Sequence, residues 1–328
     1  MELKRRRLVM YGLFAIVLAI MPFLFGRFTA NEILVFAIFA MAYNLLLGFG
    51  GELSFGHAAF FGFGAYATVM GAQHLSQNLY LMMIFAVVLT GLMSIPFAYI
   101  SLQRRGIYLA LITLALAMMF YYAAFRGGEY TGGSDGMFLP IYDAGIGPID
   151  PLAGGIEFYI FGIVVFALVY FLIRRITRSP FGRALQAVRE SEERARHLGY
   201  DSQRLLLIAF VMSGTLSGLA GSMYAVLFAF VGPGSLFWIV SGEVILVLLI
   251  GGVATLFGPF VGAVIFVSLA NNLTQYTAHW PVIFGAIFVV IVMFAPQGLV
   301  GLYEDYQEGK IALEDIRPKK LLEKGEFE

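Results

Sequence analysis

Cysteine is absent from the chain, which excludes disulfides, thiolate chemistry and cysteine ligation of a metal. Histidine is scarce: His57, His74, His197 and His279 are scattered and fall at no metal-ligand spacing. Charge is scarce as well, at 13% of residues, where a soluble domain carries about a quarter. The formal net charge is zero, so bulk electrostatics offer nothing to a nucleic acid. No GxxxxGK[ST] phosphate loop occurs. Any use of ATP and its magnesium therefore needs another chain. No Ser/His/Asp or metal constellation is present, and the reading is of a protein that does no bond chemistry.

What is abundant is apolar surface. Hydrophobic residues make up 60% of the chain, and the mean hydropathy is +0.84. Several runs approach or exceed ~20 apolar residues, which one buried core helix does not explain. The expected fold is an all-α polytopic membrane protein with about eight to ten transmembrane helices. The spans read as about 8–26, 31–47, 54–71, 79–102, 107–125, 157–173, 205–230, 236–250, a ninth beginning at 251, and 281–295. Residues 1–300 then form the membrane domain, and 301–328 a charged tail on the cytoplasmic side.

The segment RRITRSPFGRALQAVRESEERARHLGYDSQR, Arg174 to Arg204, holds eight arginines and four acids between apolar runs. Short basic loops stay inside, so this one is expected in the cytoplasm together with Arg104 and Arg105. Residues 126–156, with four acids and one base, are expected outside. Both termini then fall inside. Ser179 and Pro180 suit a helix start, and Phe181, Leu185 and Val188 recur at helical spacing until Gly199 ends the pattern. Two readings stand for this amphipathic segment: a docking helix for a soluble partner, or a solvated basic loop that only fixes topology.

Two glycine-rich stretches interrupt the apolar pattern. Residues 48–70 read GFGGELSFGHAAFFGFGAYATVM, with Gly50 and Gly51 suggesting a broken or tightly turned helix start. Gly56, Gly62, Gly64 and Gly71 suit a helix packed closely within a bundle, as do Gly214, Gly218 and Gly221 further on. The second stretch, GGVATLFGPFVGA from Gly251, echoes the first: Gly50-Gly51 matches Gly251-Gly252, and Ser54 matches Thr255 with one residue inserted after it. Upstream, Glu32-Ile33-Leu34-Val35 resembles Glu243-Val244-Ile245-Leu246. Two pseudo-repeated halves with broken helices are one account of this echo, and chance similarity between Gly-rich segments is the other.

Three blocks carry a family resemblance. Gly51–Tyr66 resembles a G-Q-[LI]-S-[LF]-G-H-A-A-F-F-G-x-G-A-Y pattern, Ser179–Gly199 an S-P-F-G-R-A-L-x-A-[IV]-R segment ending in L-G, and Gly251–Ala263 a G-G-x-G-T-x-x-G-P-x-x-G-A pattern. They are those of the inner-membrane permeases of branched-chain amino acid ABC importers, the LIV type, here similar to the M-type subunit. Glu52 stands where the family often has Gln, and Ala254 where Gly is frequent. The resemblance implies a permease moving leucine, isoleucine and valine across the cytoplasmic membrane. Urea or short-chain amides remain an alternative, and an autonomous ion-coupled carrier is a reading of another class. It also implies two ATP-binding subunits, a second permease of the H type and an extracytoplasmic substrate-binding protein as partners.

The same resemblance sharpens the basic segment. ABC importer permeases have an E-A-A-x-x-x-G coupling helix, matched here by Glu193, Ala195 and Gly199, with Arg194 at the middle Ala. Phe181 and Leu185 are then the implied apolar anchors in a groove of the ATPase, and Arg189 and its neighbours the rim contacts. In the membrane, Gly51, Glu52, Ser54, His57, Glu243, Gly251, Gly252 and Thr255 are the candidate pathway and helix-break positions. Glu52 reads equally as a pathway charge or a cytoplasmic helix cap, and Ser54 as an N-cap or a pathway hydroxyl. His57 is read as an interhelical hydrogen-bonder before a gating residue. Glu243 and Glu32 are expected near the outer interface, and Trp238 and Trp280 as interfacial anchors.

Overall fold

The computed structural model describes residues 16–76, 78–140, 156–276 and 298–307, with isolated positions between 279 and 293. Helix α1 (Ile16–Phe25) precedes α2 (Arg27–Asn44), which runs without a break into a π turn, Leu45–Phe49. Then follow α3 (His57–His74), α4 (Leu79–Ser101), α5 (Ile107–Arg126), α6 (Ile156–Arg178), α7 (Pro180–Glu190), α8 (Glu192–His197) and α9 (Ser202–Phe228). The series closes with α10 (Trp238–Gly251), α11 (Gly258–Tyr276) and α12 (Gly298–Gln307). Five of these are long and apolar enough to cross a membrane: α2 with its π turn, α4, α5, α6 and α9. Of the expected spans, residues 8–15 of the first and most of the tenth lie outside the described residues, as do Trp280, residues 141–155 and the tail beyond 307.

The bundle is built around α2, which is buried on nearly all sides and packs on α6, α9 and α11. Helix α3 packs on α9 and α4. Its small residues account for the closeness: a Cβ at Gly64 would lie 2.2 Å from the carbonyl oxygen of Gly218, and one at Gly221 1.8 Å from that of Phe61. The α3 and α9 backbones are therefore in direct contact, which only glycine permits. Around this centre, α4 and α5 turn Leu81, Ile84, Val88, Leu92, Ile107 and Leu111 outward. Such faces suit hydrocarbon, not water.

Several boundaries differ from the sequence reading, each for a local reason. Helix α6 extends to Arg178, so Arg175 and Arg178 sit in its last turn, where cations complement the helix dipole. The single helix expected over 180–198 is two. Ser191 is extended, and its hydroxyl accepts the N–H of Arg194. A serine cap followed by Glu192 and Glu193 restarts a helix better than it continues one. The helix expected from 251 starts at Gly258, because Gly252 and Ala254 both take positive φ. A two-residue antiparallel ladder also forms, Met137 opposite Val231 and Phe138 opposite Phe230, tying the loop after α5 to the end of α9.

Candidate functional site

The segment between the π turn and α3 is held by side chains from four helices. The Tyr43 hydroxyl of α2 accepts the N–H of Ser54 at 3.0 Å and donates to its carbonyl at 2.9 Å. Thr113 of α5 accepts the N–H of Phe55. Ser241 of α10 accepts the N–H of Ala58 at 2.7 Å and donates to the Phe55 carbonyl at 2.8 Å. His57, fully buried, places Nδ1 3.0 Å from Ser54 Oγ and Nε2 2.8 Å from Ser213 Oγ on α9. Ser213 Oγ donates to the Ala42 carbonyl, so it accepts from Nε2–H, and Nδ1 accepts from Ser54. Both ring nitrogens are thus engaged by hydroxyls. His57 is an interhelical tie, and Ser54 both caps the segment and joins the same network.

The second glycine break sits against the first. Asn44, at the end of α2, donates to the Thr255 carbonyl at 2.7 Å and accepts the N–H of Ala254 at 2.9 Å. Thr255 Oγ1 accepts the N–H of Gly258 at the start of α11, as Ser54 Oγ accepts the N–H of Gly56 at the start of α3. Gly251 needs its missing side chain: a Cβ there would lie 1.8 Å from the Gly258 carbonyl oxygen. The positions paired in the sequence echo therefore also play the same local part.

At the basic end of the bundle, α7 and α8 are latched to the first break. Gly51 has φ +77, and a Cβ on it would lie 2.7 Å from Cγ of Arg189. Arg189 Nη1 donates to the Gly48 carbonyl. Arg105, from the α4–α5 turn, pairs with Glu52 at 3.2 Å and with Glu192 of α8 at 3.4 Å, and Arg196 closes on Glu192 at 3.0 Å. Burial raises the Glu52 pKa above the ordinary carboxylate value, against the opposing pull of Arg105. Glu52 belongs to this ionic chain. It is not a free charge in the membrane.

The two short helices also revise which side chains can meet a partner. Leu185, expected to be an outward anchor, is fully buried with Val188 and Ala195 among Leu46, Phe49, Leu206 and Phe210. These residues fasten α7 and α8 to the bundle, because the apolar stripe of a short amphipathic helix turns to the nearest apolar surface. Phe181 is half-buried against the same cluster. Glu193 is exposed and pairs loosely with His197 at 4.0 Å. Gly199 has φ +87, the left-handed end expected of it. The apolar groups presented outward here are Leu198, 75% exposed, and Tyr200, 44% exposed. Sequence reasoning missed both, although two apolar residues flanking a helix-ending glycine are a legible signal.

Glu243 has a defined setting as well. It is half-buried on α10 in the wall of a cavity of about 590 Å³ that also includes Leu53, Phe55, Trp238, Gly242 and Leu246. Trp238, expected to be an interfacial anchor, meets Phe55 edge-on at 6.4 Å in that wall. Glu32 is also half-buried, accepts from Asn271 Nδ2 at 2.7 Å, and acts electrostatically on Glu243.

Comparison with known proteins gives the family. A family model described as "Branched-chain amino acid transport system / permease component" matches residues 27–295. The high-affinity branched-chain amino acid transport system permease protein LivM of Escherichia coli is 26% identical over 62% of this chain and 54% of its own length. The same-named protein of Salmonella typhimurium is 25% identical over 67% of this chain and 57% of its own. A probable branched-chain amino acid transport permease protein LivM of Methanocaldococcus jannaschii is 26% identical over 48% of this chain and 44% of its own. The chain thus spans about half the length of the relatives it matches. No solved structure matches it. With one family match covering both glycine breaks and the α7–α8 segment between them, this multi-pass chain belongs to the family of branched-chain amino acid transport permease components.

Proposed function

We propose that the protein is the M-type permease subunit of an ABC importer that carries leucine, isoleucine and valine across the cytoplasmic membrane. The observation that carries the reading is α7–α8. The segment is arginine-rich, is fastened to the bundle by its own apolar stripe, and still presents Leu198 and Tyr200 outward beside Gly199. A carrier that works alone has no use for such a platform, whereas a subunit driven by ATPases does. The partners in this reading are two ATP-binding subunits, which hold ATP and magnesium, an H-type permease and an extracytoplasmic binding protein. Closure of the ATPases pushes on α8, and the chain Glu192–Arg105–Glu52 passes that displacement to the first glycine break.

The test is uptake by proteoliposomes holding the permeases and ATPases, with binding protein and substrate outside and ATP inside. The reading expects ATP-dependent accumulation of leucine, isoleucine and valine and none without ATP. Accumulation of urea or acetamide in their place replaces the substrate class. Uptake by this chain alone under an ion gradient rejects the ABC assignment.

A further inference from the structure

The cavity beside α10 joins two kinds of wall. Leu47, Leu53, Phe55, Trp238 and Leu246 supply apolar surface, and Glu243 supplies one carboxylate. Among the described residues no cation or hydrogen-bond donor pairs with that carboxylate. Its described electrostatic neighbours are another acid, Glu32, and the phenol of Tyr224. An ionisable group within a membrane bundle is costly, by ~2.5–3.5 kcal/mol or more, and is retained where it meets a counter-charge or a permeating group. With no described cation beside it, the Glu243 carboxyl is open to a cation that enters the cavity.

Placement supports a transit role. Leu53 and Phe55 come from the first glycine break and Val253 from the second, and all three line this cavity. Discontinuous helices are where membrane transporters build their sites. The floor is rigid, because the backbone of Phe55 is fixed by Thr113 and Ser241. At about 590 Å³ the space lies within the ordinary range of small-molecule pockets.

We propose that this cavity is a transit subsite for a primary-ammonium amphiphile, with Glu243 receiving the ammonium and the Phe55–Trp238–Leu246 wall the aliphatic side chain. The proposal rests on the functional reading above and deepens it. A branched aliphatic amino acid has both parts, whereas urea and simple amides carry no ammonium for Glu243 to take.

The experiment uses the whole transporter in proteoliposomes, with the same binding protein in every arm, so that differences arise in the membrane. Two variants probe the two walls. Glu243→Gln keeps volume and removes charge. Gly242→Leu fills the cavity, since a Cβ at Gly242 meets nothing of this chain within 4 Å. Glu243→Asp is the conservative control. Leucine uptake at sub-saturating concentration is expected to fall at least tenfold in Glu243→Gln and in Gly242→Leu, and to be partly retained in Glu243→Asp. Subunit co-purification should stay at the wild-type level. Wild-type uptake of leucine with undiminished uptake in Glu243→Gln overturns the subsite and leaves the proposed function standing. Wild-type uptake of urea or acetamide, and not of leucine, overturns both.

Discussion

Arg105 places one guanidinium nitrogen 3.2 Å from Glu52 and the other 3.4 Å from Glu192, so a single side chain joins the first glycine break to α8. Glu52 is held there at a cost, since burial raises its pKa more than Arg105 lowers it. A carboxyl whose folded pKa is raised contributes most at low pH. That contribution is lost as pH rises through its unfolded and then its folded value, above which the charged form is a penalty. Glu52→Gln, which mimics the neutral form, is therefore expected to gain more on wild type at about pH 8 than at about pH 5. Arg105→Ala takes the cation away from Glu52, while Glu192 keeps Arg196, and should cost about 1–3 kcal/mol. Thermal unfolding of the purified assembly at both pH values checks the pair. Equal losses in the two variants contradict this account.

Ala254 takes φ +64, a left-handed conformation that favours glycine. The left-handed region costs a residue with a Cβ about 1–2 kcal/mol, and glycine returns about 0.5–1 kcal/mol of that through its looser unfolded chain. Ala254→Gly is therefore expected to raise stability by about 0.5–1 kcal/mol. The bonds of Asn44 to residues 254 and 255 use backbone atoms and survive the change. A melting temperature that falls contradicts the assignment of strain to this position.

His57→Ala removes the group between two buried hydroxyls, those of Ser54 and Ser213. The Ser54 hydroxyl loses its acceptor at a cost of about 1–3 kcal/mol, Ser213 keeps its bond to the Ala42 carbonyl, and the lost ring opens a cavity beside Tyr43 and Phe210. The expected outcome is a large loss of thermal stability with subunit contacts unchanged in what folds. A variant as stable as wild type that no longer transports makes His57 a gating residue instead of a structural tie.

Sidedness follows from charge. The His197 side chain is 80% exposed on α8, and Tyr130 is 82% exposed beyond α5. In a chain without cysteine, His197→Cys and Tyr130→Cys each give one reactive thiol. An impermeant maleimide on intact cells is expected to label Tyr130→Cys alone. Labelling of His197→Cys from outside reverses the topology.

Much of this architecture was legible in the chain, because hydropathy and charge segregation are first-order terms in a bilayer. The small-residue face at Gly214, Gly218 and Gly221 was readable for the same reason: it is periodic. What was not readable depends on distant partners. Glu52 read equally as a pathway charge or a cytoplasmic cap, and only the fold brings Arg105 and Glu192 beside it. Leu185 looked like an outward anchor because spacing defines a stripe but not what covers it, and here the bundle itself does. Glu243 looked interfacial because it lies early in a short helix, and only packing shows it in a cavity wall.

The most direct test of the account is whether the outward apolar pair on the α8 side takes the drive from the ATPases. Leu198→Asp and Tyr200→Ala change side chains that are exposed in this chain, at 75% and 44%, so the permease should fold and insert normally. Co-purification of the ATPase subunits and ATP-driven leucine uptake are measured on the same preparations. The account predicts that both fall together, at least tenfold in Leu198→Asp, a loss of about 1.4 kcal/mol or more, with permease abundance unchanged. Full retention of the ATPases and of uptake in both variants contradicts it and leaves α7–α8 as a basic loop that only fixes topology.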